Sequence, residues 1–151
     1  MGTWGEFAAA SPALGERGAG LLGVGVAYIA TTAKDGSARL HPFTPLIGGG
    51  RLLALIAKHT VKYENLLRDP RCAIHAVLGA DDEEFMLLCR AVVSDDWATR
   101  MQAAIAAKKI NMTSKNDVAF EFSIERAHWA IWEGLGTTDI RRRSERWRAA
   151  G

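Results

Sequence analysis

The chain has 151 residues, 48% of them apolar and 24% charged, a balance that supports one compact domain with its own core and argues against disorder or a repeat array. The net charge of +2 is unevenly placed: positions 141–148, RRRSERWR, hold five Arg and one Glu, while the remainder carries 14 basic against 16 acidic residues. A slightly acidic body lacks the broad basic face of a nucleic-acid binder, so no nucleic-acid partner is expected, and positions 136–151 read as an Arg-rich C-terminal tail that is solvated or contacts a second subunit.

Residues 1–20 read as a helical N-terminal cap, because Trp4, Phe7 and Ala8 share a helical face and Pro12 can only begin a second helix. The apolar stretch 19–30 is too short for a bilayer and contains Gly23 and Gly25, so neither a membrane span nor export is expected. Positions 24–33 are rich in β-branched and aromatic residues, and Asp35-Gly36 closes a tight hairpin onto a returning strand from Arg39 to Ile47. Pro42 and Pro45 each remove a ladder donor, which makes that strand irregular or an edge. After the turn Gly48-Gly49-Gly50, the unbroken apolar run 52–57 reads as a buried strand.

Thr60 is placed to cap a short helix over 61–68, which must stop before Pro70. Positions 71–78 and 84–93 read as a hairpin around the acidic loop 80–83, with Cys72 and Cys89 as reduced, buried thiols of a cytoplasmic protein. Ser94 or Asp95 can cap a helix whose stripe is Trp97, Met101, Ala104 and Ile105, and 118–124 and 127–133 read as the last strands. The predicted architecture is a mainly β (α+β) single domain: a six- to seven-stranded antiparallel split barrel with short flanking helices.

The segment from Arg39 to Pro70 carries the chemistry. A strand ending in Lys58-His59 delivers the chain to the helix start at Thr60 to Lys62, where free backbone amides, a hydroxyl and two Lys converge into an anion site. Arg39 and His41 share parity on the antiparallel strand before it, so both can reach across toward that helix start. From spacing alone the same residues read equally as surface lysines and an ordinary strand arginine. No spacing of metal ligands occurs, and no Ser, Thr or Cys nucleophile has a base beside it in sequence.

The order of elements, the R-x-H-P-x-T-P strand and the stretch T-x-K-x-x-N-L-x-R-D-P, running into KYENLLRDPRCAIHA, resemble the pyridoxamine 5'-phosphate oxidase-like FMN-binding split-barrel superfamily. The resemblance implies that Arg39 and Lys62 neutralise the FMN phosphate, that Thr60 donates to it and Lys58 stands nearby, and that the backbone of Leu40, His41, Pro42, Phe43 and Thr44 and around Leu55 and Ile56 lines the isoalloxazine. It also implies a homodimer, with Trp132 of AIWEG supplied to the flavin from the second subunit. Two departures count against vitamin B6 oxidation: Val61 stands where an Arg precedes the phosphate-binding Lys, and the tail lacks an Arg-x-His motif.

The function so implied is an FMN-dependent oxidoreductase, transferring hydride at flavin N5 to or from a small substrate or an electron carrier; its catalytic residues are not identified by sequence. Alternatives are a split barrel that binds deazaflavin F420 or haem, and a non-enzymatic flavin-binding or interaction module.

Overall fold

In a computed structural model the chain is described over residues 1–112 and 116–151. Two helices open it, α1 (Trp4–Ala10) and α2 (Pro12–Leu22). Then come β1 (Ala27–Thr32), β2 (Ala38–Phe43), β3 (Leu46–Gly48), β4 (Arg51–Ala57), α3 (Val61–Arg68), β5 (Arg71–Ala76), β6 (Glu84–Val93), α4 (Trp97–Lys109), β7 (Asp117–Glu133) and β8 (Arg141–Arg148). All described strand pairings are antiparallel, in the order β2-β1-β5-β6-β7-β4-β3, with β8 added beside β7. The eight-stranded sheet does not close, and the chain has the mainly β split-barrel fold that its sequence predicts.

The prolines explain the split. The single returning strand expected over 39–47 is two strands, β2 and β3, which lie at opposite edges of the sheet. Pro42 lies in β2 and Pro45 in the crossing from one edge to the other, where a missing N–H costs no central ladder bond. The hairpin before it forms as read: Asp35 accepts from the Ser37 amide at 3.0 Å, and Gly36 takes φ +84. At the next turn Gly49 and Gly50 both have positive φ.

Further expectations are corrected. The last two strands are one, β7, bulged near Glu125; its first part pairs with β4 and its second part with β8, on the edge opposite β6. The Arg-rich segment is not a loose tail but β8, because Glu145 and Trp147 turn toward the body while most of its arginines stay exposed. Trp147 packs on Phe7 with ring centroids 5.0 Å apart, and Arg17 pairs with Glu145 at 2.9 Å. The α4 helix is capped by Asp96, whose carboxylate accepts from the Thr99 amide at 2.8 Å, rather than by Ser94 or Asp95. Its Trp97, Met101 and Ile105 stripe faces solvent, since Thr99, Ala103, Ala106 and Ala107 fit the close approach to β3.

The main core gathers Phe7 of α1 and Leu14 of α2 with Ile29, Phe85, Phe120, Phe122 and Trp129 of the sheet. Cys72 and Cys89 face each other across β5 and β6 as buried free thiols, and burial pushes the Cys72 thiol up to about 12. No helix among the described residues is long and apolar enough to cross a membrane.

Candidate functional site

The helix α3 anchors the site. Thr60 caps it, accepting from the Tyr63 amide at 3.4 Å, while its own hydroxyl donates to the Ala57 carbonyl at 2.7 Å. That leaves the Val61 and Lys62 amides at the helix start without intrahelical acceptors. The helix is fixed to β1 by two polar side chains: Asn65 donates to the Thr31 hydroxyl at 2.9 Å, and Arg68 donates to the Thr32 carbonyl at 2.6 Å and to Asn65 Oδ1 at 2.9 Å.

Arg39, His41 and Phe43 lie opposite Thr31, Ile29 and Ala27, so β2 turns all three toward the face against which α3 packs. His41 Nε2 stands 3.2 Å from the Thr31 hydroxyl. Lys62 Nζ donates to the Pro42 carbonyl at 3.1 Å, closing the gap between the helix start and the edge strand. Burial first, then the charges of Lys62 and Arg39, hold the His41 imidazole below its ordinary value. The neutral ring can accept the Thr31 hydroxyl proton while that oxygen accepts from Asn65. Two permanent cations and the N-terminus of a helix thus bear on one spot, an arrangement that favours a bound anion.

The remaining predicted residues are distributed as follows. Leu40 is 68% exposed on β2, and Thr44 is half-buried at the crossing. Phe43 and Ile56 send their side chains into the core, Phe43 lying 6.0 Å from the Phe122 ring, so only their backbones can face a ligand. Leu55 points to the other side of β4, into a cavity of about 340 Å3 lined also by Trp97 and Met101 of α4. Lys58 does not join Arg39 and Lys62; it lines a separate cavity with Asp95, Arg100 and Asp117. Thr60 is at the site, but its hydroxyl proton is held by Ala57. Trp132 lies on β7, four strands along the sheet from β2, and within one chain it does not meet the Arg39 cluster.

Sequence reasoning gave no role to Thr31, nor to Asn65 and Arg68, although these two stand in the T-x-K-x-x-N-L-x-R-D-P stretch. The available signal was Asn65 itself, a polar residue beside Leu66 on a short helix; buried there, it requires a partner from a strand. His75 has its Nδ1 2.6 Å from the Ala76 carbonyl, in keeping with a structural histidine.

No family model and no curated protein sequence matches the chain. Solved structures do. One is a NimC/NimA family protein from Clostridium acetobutylicum, 19% identical, with a TM-score of 0.63 over 86% of this chain and 91% of that one. A second, from the same organism, is a protein related to general stress protein 26 and assigned to the pyridoxinephosphate oxidase family. It is 12% identical, with a TM-score of 0.62 over 87% of this chain and 92% of that one. A third is a haem-binding protein from Mycobacterium smegmatis, 17% identical, with a TM-score of 0.61 over 83% of this chain; the chain spans only 55% of its length. The chain therefore shares the fold of these proteins.

Proposed function

We propose that the chain binds FMN through the Arg39, His41 and Lys62 cluster and, as a homodimer, acts as an oxidoreductase on a small substrate or electron carrier. The observation that carries this reading is the convergence of Arg39 and Lys62 on His41 at the amide-rich start of α3. A phosphate fits there: Lys62 gives up only a bond to a backbone carbonyl, and the Val61 and Lys62 amides need acceptors.

When bound, FMN supplies hydride or electron transfer, which asks of the protein mainly orientation and electrostatics. Arg39 and Lys62 neutralise the phosphate. Thr31 and Asn65 keep His41 oriented between them, and the backbone of β2 from Leu40 to Thr44 offers an edge along which a planar heterocycle can lie. A second copy would bring Trp132 to the ring and cover apolar surface that one copy leaves in solvent, above all Trp97, which is 72% exposed.

Haem is the second reading, favoured by the fold shared with the mycobacterial haem-binding protein. Its carboxylates would call on the same cations. The visible spectrum of the purified protein, after cofactor extraction and after titration with FMN or haem, separates the two: flavin bands support the first reading, a Soret band the second, and neither overturns both.

A further inference from the structure

The arginines of β8 fall into two groups. Arg141, Arg142 and Arg143 each have a carboxylate, on Asp139, Glu84 and Glu133 respectively. Arg146 and Arg148 form no ion pair among the described residues, and neither does Arg126 on β7. These three stand together. The registers Leu88–Arg126–Arg148 and Met86–His128–Arg146 are two adjacent cross-strand rows on one face of β6, β7 and β8. They enclose a cavity of about 420 Å3 whose lining contains no carboxylate.

Like charges directly opposite each other on neighbouring strands repel. Here Arg126 faces Arg148, while Arg146 faces His128, a ring that burial holds toward its neutral form and whose Nδ1 stands 4.0 Å from Glu84. The cost is raised by His128 Nε2, which is buried without a hydrogen-bond partner. The floor beneath these cations is apolar, built from Met86 and Leu88. Three arginines without counter-charges around an apolar floor describe a complementary guest: an anionic head held by forked guanidinium donors, joined to an apolar body that covers the two side chains. We propose that this cavity binds a small amphipathic organic anion, a carboxylate, sulfonate or phosphate carried on an apolar group. The site shares no residue with the Arg39 cluster, and it stands or falls separately from the flavin reading.

The test uses two fluorescent probes on the full chain: 8-anilinonaphthalene-1-sulfonate, and the uncharged N-phenyl-1-naphthylamine of similar shape. The sulfonate should bind saturably at one per chain. Arg126→Gln with Arg148→Gln should weaken it by about tenfold or more, as expected for lost charge-assisted hydrogen bonds, and leave the neutral probe unchanged. Lys62→Ala should leave both unchanged. Arg148→Gln alone, at the exposed end of β8, reads the same effect in a minimally altered fold. The proposal is overturned if the sulfonate does not bind, if the arginine variants bind it like the wild type, or if it responds to Lys62→Ala as strongly as to them.

Discussion

The Asn65 side chain donates to the Thr31 hydroxyl across 2.9 Å, and both residues are buried. That one bond ties α3 to β1, and the same hydroxyl reaches His41 on β2 at 3.2 Å. Asn65→Ala takes from the buried Thr31 oxygen its only donor among the described residues and from Arg68 one of its two acceptors, so it should cost about 1–3 kcal/mol. Urea unfolding followed by tryptophan fluorescence measures it; a midpoint equal to the wild type would contradict the account of how α3 is held.

Two glycines of α2 should respond to alanine in opposite directions. A methyl group at Gly20 meets nothing within 4 Å, so Gly20→Ala should stabilise the helix by roughly 0.5–1 kcal/mol. A methyl at Gly18 runs into the Phe85 ring, a fully buried core residue. The overpacking cost of about 1–3 kcal/mol outweighs the helical gain. Thermal melts should therefore rise for Gly20→Ala and fall for Gly18→Ala, and a rise for both would mean that α2 sits further from β6 than described.

The lowered value of His41 sets a direction for pH. Its folded form resists protonation, mainly through burial and then through Lys62 and Arg39, so below the ordinary value of 6.5 the unfolded chain binds more protons. The contribution is whole above that value and lost as the pH falls through it. His128 shifts the same way, chiefly through burial, with Glu84 opposing. Between about pH 8 and about pH 5 the wild type should thus lose melting temperature faster than His41→Gln. Parallel curves would remove His41 from the cationic cluster.

Homodimerisation, which the proposed site needs, can be tested on α4. Its Trp97, Met101 and Ile105 are exposed to 72%, 39% and 45%, an apolar stripe on a helix whose opposite side is already packed. Met101→Glu with Ile105→Glu should shift the protein from dimer to monomer in light scattering, with little change in the secondary structure of the monomer. A wild type that is monomeric at micromolar concentration would contradict the dimer.

Much of the fold was legible because single residues dictate local geometry. Asp35-Gly36 fixed a hairpin, Thr60 a helix start, and Pro12 the beginning of α2. What escaped was set by tertiary context. Nothing local says that β2 and β3 part to opposite edges, since Pro42 and Pro45 mark an interruption without saying where the chain goes next. β8 was hidden by its charge, although the alternation of Glu145 and Trp147 with Arg146 and Arg148 is a strand pattern. The α4 stripe of Trp97, Met101 and Ile105 does not say which face packs; small alanines are needed against β3, so the large residues stay outside. At the site, parity predicted the shared face of Arg39 and His41. Lys58, two residues before the cap, was carried to the other side by the turn that precedes α3.

The central claim is that Arg39 and Lys62 form an anion cradle for a flavin phosphate. FMN titration, read by quenching of flavin fluorescence and compared with riboflavin, tests it most directly. The account predicts saturable FMN binding at one per chain, riboflavin bound at least tenfold more weakly, and a loss of tenfold or more in FMN affinity for Lys62→Ala and Arg39→Ala, on the order expected for one charge-assisted contact. Equal affinity for FMN and riboflavin, or variants that bind FMN as the wild type does, would contradict it.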